Sequence, residues 1–192
     1  MTLVSNSAAQ TIPSAPFAKE LLTAVPGLRA FALSLSMKAD RADDLVQETV
    51  LKAWKHHGSF EAGSNIKAWL YTILRNEFYS QLRKSKREVE DIDGLYAGRV
   101  AMDGSQLSHL NMMDMKVALA KLPDDQREAV ILVGASGFSY EEAADICQVA
   151  VGTVKSRVSR ARLRLNEILG IQDSDALRHI KRGNGSKVQS AA

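Results

Sequence analysis

The sequence predicts an all-α protein made of two small helical domains joined by a flexible linker. Three observations lead there. Strand signals are nearly absent, while apolar residues recur with helical spacing from about Phe17 to Leu169. The pattern lapses over residues 88–112, where Gly94, Gly98 and Gly104 are scattered among acids. At 192 residues, the chain has room for two compact helical units, one on each side of that lapse.

Taken in order, residues 1–15 are rich in Ser, Ala, Thr and Pro and read as a disordered leader. The first domain spans 16–87. A helix from about Phe17 to Val25 is expected to stop at Pro26 and Gly27, and a second runs from Leu28 to about Met37. Asp40 can cap a third helix, with Asp43 and Asp44 in its first turn and Val46, Val50, Ala53 and Trp54 as its apolar stripe. His56 and His57 close that helix, and the segment 57–63 breaks the pattern. Ser64 or Asn65 caps a fourth helix reaching about Lys86. Its core stripe is Ile66, Trp69, Leu70, Ile73, Leu74 and Phe78. Residues 88–112 form the acidic linker, long enough when extended to reach on the order of 80 Å.

The second domain covers 113–170. One helix reaches Leu122, before Pro123, and another runs from about Asp125 to Val133, before Gly134. Ser139 and Glu142 form a capping box for a short helix, Tyr140–Cys147. After a turn at 148–150, a longer helix runs from Val151 to about Ile168 and stops at Gly170. The remaining residues, 171–192, read as a flexible tail.

Charge placement says more than the formal net charge of +3. Arg75, Arg83, Lys84, Lys86 and Arg87 stand together with only Glu77 opposing them. Lys155, Arg157, Arg160, Arg162 and Arg164 stand together with no acid between. Two basic blocks around an acidic spacer point to a polyanion touched at two places. A single cysteine, Cys147, excludes an internal disulfide and a cysteine-based zinc site, and it fits a reducing compartment. The N-terminus lacks the basic start and apolar run of a signal peptide, and no segment has the roughly 20 apolar residues of a membrane span. A cytoplasmic protein without a membrane partner is expected. His56, His57, His109 and His179 show neither ligand nor triad spacing, so neither an enzyme nor a metal site is expected, and no cofactor.

Two constellations carry chemistry. On the fourth helix, Lys67, Tyr71, Arg75, Tyr79 and Arg83 form a spiralling i+4 ladder of cations and rings. Such a ladder suits single-stranded nucleic acid, with charges on phosphates and rings on bases. A solvated amphipathic face with tyrosines at its edge explains the same residues equally well. In the second domain, a short helix, a tight turn and a basic helix make a helix-turn-helix. Ala144 allows close crossing, and Val149 and Val154 pin the two helices. Thr153, Lys155, Ser156, Arg157 and Arg160 lie at the end that enters a major groove, with Arg162 and Arg164 further along on backbone.

At these residues the chain resembles the extracytoplasmic-function sigma factors of the sigma-70 family. Segments 139–146 (SYEEAADI) and 151–157 (VGTVKSR), with the lead-in 120–129, are similar to region 4. Segments 42–49 (ADDLVQET), 52–54 and 65–76 (NIKAWLYTILRN) are similar to region 2. The stretch from Phe60 to Lys84 is most similar to the general-stress-response branch. The resemblance covers about Phe17 to Gly170. It implies a region 2 helical bundle and a region 4 helix-turn-helix that lend promoter specificity to core RNA polymerase.

It also implies roles. Asp44, Leu45, Gln47 and Glu48 would dock on the clamp of the largest polymerase subunit, with the flap as a further contact. The loop Phe60–Asn65, including Ser64, would hold a base flipped from the −10 element together with Asn76. The ladder, extended to Lys84, would steady the opened strand, and the basic helix would read the −35 element as duplex. An anti-sigma factor is the implied regulator. The chain departs from the family pattern at Gln148, where Gly is usual, and at Ala150, where a Ser cap is usual. A sigma-like decoy for an anti-sigma factor is a second possibility, disfavoured by the intact basic helix. A simple helix-turn-helix repressor would leave the first domain's faces without a use.

Overall fold

The computed structural model describes residues 13–61, 63–90 and 108–170, and among these every regular element is helical. Most of the expected leader (residues 1–12 of 1–15), most of the linker (91–107) and the tail (171–192) lie outside the described residues. The elements are α1 (Ala15–Ser36), α2 (Ala39–Lys55), α3 (Ile66–Glu90), α4 (Ser108–Ala120), α5 (Asp124–Val130), α6 (Tyr140–Cys147) and α7 (Val151–Leu169). Short turns at His57–Ser59 and Ile131–Ala135 complete them.

The expected break at Pro26 does not occur; α1 runs through it. Proline removes one hydrogen bond and costs about 3 kcal/mol inside a helix. Phe17, Leu21, Leu28, Phe31 and Leu35 are buried along the opposite side of α1. Burial of each such side chain is worth roughly 1.5–3 kcal/mol, so packing outweighs the proline severalfold. Leu22, whose carbonyl would have accepted the missing bond, is exposed, as is Pro26, so water can satisfy that oxygen. The helix also starts within the expected leader, where the Ser14 hydroxyl accepts from the Phe17 amide at 3.4 Å.

Three further boundaries shift. Asp40 is not the cap of α2; it sits in the first turn behind Lys38, which makes no side-chain cap bond. In that position its charge still faces the positive end of the helix dipole. Trp54, expected in the core, is 43% exposed, whereas Ala53 beside it is fully buried. Helix α3 extends to Glu90, and α4 begins at Ser108, inside the expected linker.

The capping box forms as the sequence predicts. The Ser139 hydroxyl accepts from the Glu142 amide at 3.0 Å, and the Glu142 carboxylate accepts from the Ser139 amide at 2.9 Å. Helix α5 continues into a wider π-type turn over Ile131–Ala135, closed by the Ser136 amide donating to the Ile131 carbonyl at 2.8 Å. The turn aims the Ser136 carbonyl and the Phe138 ring at α3.

The two halves pack on each other. One hydrophobic cluster runs without interruption from Phe17, Phe31, Leu70 and Tyr71 in the first half to Leu132, Phe138, Ile146 and Val158 in the second. A smaller cluster of Ala118, Leu122, Ala161 and Leu165 ties α4 to α7. Across the junction, the buried Arg127 donates to the Leu35 carbonyl at 3.5 Å, at the C-terminal end of α1. It also bonds the Leu122 carbonyl and Asp124.

Candidate nucleic-acid interface

Helix α3 divides its polar residues between two environments. Lys67, Tyr71, Arg75 and Tyr79 face the second half of the chain. Tyr71 is 1% exposed, with its ring stacked on Phe31 and edge-on to Phe138, both at 4.9 Å. Lys67 donates to the Ser136 carbonyl and lies over the Phe138 ring at 4.8 Å. The Arg75 Nε donates to Glu128 at 2.7 Å, and its guanidinium covers the Tyr79 ring at 4.7 Å. The Tyr79 hydroxyl donates to the other Glu128 oxygen at 3.3 Å. In this arrangement, the ladder read as a strand platform is covered as far as Tyr79, and Tyr71 is a core residue. Burial also explains the electrostatics. Desolvation pushes the Glu128 carboxyl and the Tyr79 hydroxyl up, with the Glu128 charge adding to the Tyr79 shift. Burial likewise holds the Cys147 thiol up at about 12, so it is protonated at neutral pH.

The other side of α3 opens a groove of about 450 Å³. Asn76 lies in it, with Trp69 and Ile73 as apolar wall, Lys52, His56 and Ser59 on the α2 side, and Arg83 at the rim. Beneath Asn76, Lys52 pairs with Glu77, which also accepts from Gln81 at 2.8 Å. Desolvation pushes the Glu77 carboxyl up, but its bonds from Lys52 and Gln81 with the Lys52 charge together outweigh that and lower it from its ordinary range, and the Lys52 ammonium is raised by the same pair. Spacing pointed to Arg83 and the family resemblance to Asn76, while neither pointed to Lys52, His56, Ser59 or Glu77. An i+4 stripe on one helix carries no signal for Lys52, His56 and Ser59, contributed from elsewhere, nor for Glu77, which lies off the stripe on α3 itself. Arg83 and Lys84 are exposed at the far end of this face.

The loop before α3 is braced internally. The Phe60 ring packs on Phe17 at 5.9 Å and on Trp69 at 5.4 Å, which makes it a wall of the first domain's core. Ser64 donates to the Glu61 carbonyl at 2.7 Å. Asn65 is the side-chain cap of α3, accepting from the Ala68 amide at 3.2 Å, and its amide nitrogen donates to Glu142 at 2.7 Å. With the Ser139 amide as first cause and Asn65 second, these bonds lower the Glu142 carboxyl.

On α2, Asp44 and Gln47 are exposed, and Glu48 makes an i,i+4 pair with Lys52 at 3.7 Å. Leu45 is fully buried and so supports the face from beneath. Leu51 (65% exposed) and Trp54 stand out from the same helix as exposed apolar surface beside these polar residues.

On α7, Lys155, Arg160, Arg162 and Arg164 are exposed, outside the buried stripe Val154, Val158, Ala161 and Leu165. Lys155 lies 5.7 Å from the Tyr140 ring centroid. Arg157 instead turns back to Asp125 at 3.1 Å, and Ser156 donates to the Thr153 carbonyl at 2.9 Å, so both are engaged within the domain. The turn before α7 has Gln148 in the left-handed region (φ 55°), and Ala150 occupies the N-cap without a side-chain bond.

This fold, a helical bundle with an open basic groove joined to a helix-turn-helix with four exposed cations, defines a two-part reader of nucleic acid. The sigma-70 region 2 family matches residues 22–88, and the sigma-70 region 4 family matches residues 112–165. The chain is 58% identical over 172 residues to the ECF RNA polymerase sigma factor EcfG of Rhodopseudomonas palustris, covering 86% of this chain and 95% of that protein. It is 34% identical to the ECF RNA polymerase sigma factor SigM of Bacillus subtilis, covering 74% and 90% of the two chains. Among solved structures, it is similar to the sigma factor RpoE of Bartonella quintana, determined in complex with the anti-sigma factor NepR. That likeness has 60% identity and a TM-score of 0.77 over 83% of this chain and 99% of that one. The chain belongs to the extracytoplasmic-function sigma factors of the sigma-70 family, and it directs promoter-specific transcription initiation. Among the described residues, no helix is long and apolar enough to cross a membrane, and no cluster of His, Cys, Asp or Glu could hold a metal ion.

Proposed function

We propose that the two halves divide promoter recognition between the open groove on α3 and the exposed cations of α7. The groove at Asn76 receives a base flipped from the −10 element, with Arg83 and Lys84 following its backbone. Lys155 and Arg160 enter the −35 major groove, while Arg162 and Arg164 bind phosphates. The exposed face of α2, Asp44, Gln47, Leu51 and Trp54, docks on the polymerase clamp. The observation that carries this reading is the groove itself: an amide at its centre, an apolar wall and a cationic rim, all on one exposed face. The identity with EcfG supports a place in the general stress response. The likeness to an RpoE held by NepR supports regulation by a small anti-sigma protein.

The test is in vitro transcription with core polymerase. Asn76→Ala should lower initiation about 10-fold or more in a manner set by the −10 sequence. Arg160→Ala should do so in a manner set by the −35 sequence, since each good base contact is worth roughly 1–3 kcal/mol. Uniform losses on promoters altered at either element would overturn the division. No transcription from the wild-type chain, with anti-sigma binding intact, would favour the decoy.

A further inference from the structure

We infer that Glu77, at the floor of the groove beside Asn76, selects the base that enters it. The selected base carries an amino group at the far end of its pairing edge, as adenine and cytosine do. Guanine and thymine, with a carbonyl there, are rejected. The inference rests on the groove's role as the seat of a flipped −10 base. A carboxylate is out of place in a site for a polyanion, because it repels the phosphates that come with the base. Here Lys52 pairs with it from α2 and cancels its charge, and Arg83 keeps the rim cationic. What the pair leaves at the floor is a set of hydrogen-bonding groups in a fixed order.

Depth sets that order. Trp69, Ile73, Asn76, Glu77 and Ser80 line the groove from one face of α3. The Glu77 side chain is 13% exposed and the Lys52 side chain 42%, so an acceptor lies deep and a donor further out. A carboxylate offers about four lone-pair sites. Lys52 takes one and Gln81, at 2.8 Å, another, which leaves sites for a ligand. Desolvation is outweighed by these bonds, which hold the carboxyl below its ordinary range, so Glu77 is ionised at neutral pH and only accepts. A flipped base has its sugar at the mouth, so the 6-substituent of a purine or the 4-substituent of a pyrimidine reaches deepest. In adenine and cytosine that group is an amino donor beside a ring-nitrogen acceptor, and the two meet Glu77 and Lys52 in turn. In guanine and thymine it is a carbonyl beside an N–H. Both contacts are then reversed, with an acceptor against the carboxylate and a donor against the ammonium.

The test is run-off transcription by the full chain with core polymerase. Its templates are pre-melted across the −10 element, which separates base reading from duplex opening. Each −10 position of the non-template strand carries each of the four bases in turn. One position should favour adenine or cytosine over guanine and thymine by about tenfold. Replacing the favoured base with its analogue lacking the amino group, purine or 2-pyrimidinone, should remove that advantage. Glu77→Gln, which can donate as well as accept, should bring the four bases within about twofold at that position alone. Circular dichroism checks that the variant folds; if it does not, the analogue series on the wild-type chain decides. Three outcomes overturn the inference: no position with that preference, an analogue equal to its parent base, or a Glu77→Gln effect that is nil or equal on every template. Asn76→Ala on the same templates keeps the two readings apart. A loss that depends on the −10 base leaves the groove its role and drops only Glu77, whereas a uniform loss drops the groove as well.

Discussion

Gln148 holds a backbone conformation that L side chains adopt reluctantly, at φ 55°, to turn α6 into α7. Two residues on, Ala150 sits in the extended N-cap conformation with no oxygen to offer the first amides of α7. Each is a small local loss inside an otherwise well-formed helix-turn-helix. Gln148→Gly removes the left-handed strain at some cost in unfolded-state entropy and should gain up to about 1 kcal/mol. Ala150→Ser should gain about 1 kcal/mol by capping. Denaturant midpoints at unchanged slope would measure both, and a lower midpoint for Ala150→Ser would show that the cap hydroxyl cannot reach its amide. Both positions stand out in the sequence as departures from the Gly and Ser usual in the resembled family, and the structure can be compared with them directly because turn and cap chemistry is local.

At the scale of the element, α1 shows a different balance. A glycine inside a helix is ordinarily a weakness of about 1 kcal/mol relative to alanine. At Gly27, however, an added Cβ would lie 2.9 Å from the Tyr71 hydroxyl. That ring is fixed between Phe31 and Phe138 and has little room to withdraw. Gly27→Ala should therefore destabilise the chain by about 1–3 kcal/mol despite its better helix propensity. A thermal melt above that of the wild type would show that the ring yields. Pro26 and Gly27 read as a helix stop in sequence, and the same dipeptide permits a close approach in the fold. The gain from burying Leu28, Phe31 and Leu35 decides between the two.

At the scale of the whole molecule, the decisive feature is a core shared by both halves. Neither half closes its apolar surface alone: Tyr71 needs Phe138, and Leu132 and Phe138 join a cluster anchored on α1 and α3. The wild-type chain should accordingly unfold in one calorimetric transition at neutral pH, with calorimetric and van't Hoff enthalpies in agreement. Two resolved transitions would show that the halves unfold independently despite the shared cluster. The sequence by itself determined the helical class, the helix-turn-helix with its capping box, the basic face of α7 and the residue types along α3. All of these follow from periodicity, caps and charge spacing within one or two turns of helix. Only the tertiary structure decided which side of α3 is covered and which is open. The pairing of Arg75 with Glu128 spans 53 residues of chain, and the groove at Asn76 takes part of its lining, Lys52, His56 and Ser59, from α2 and the turn after it. A helical pattern reports that a stripe is to be buried and says nothing about what buries it. Amphipathic residues such as Tyr71, Arg75 and Tyr79 fit either a solvated face or a packed one. The choice is made by a carboxylate, Glu128, that has no low-cost place in the core except against them.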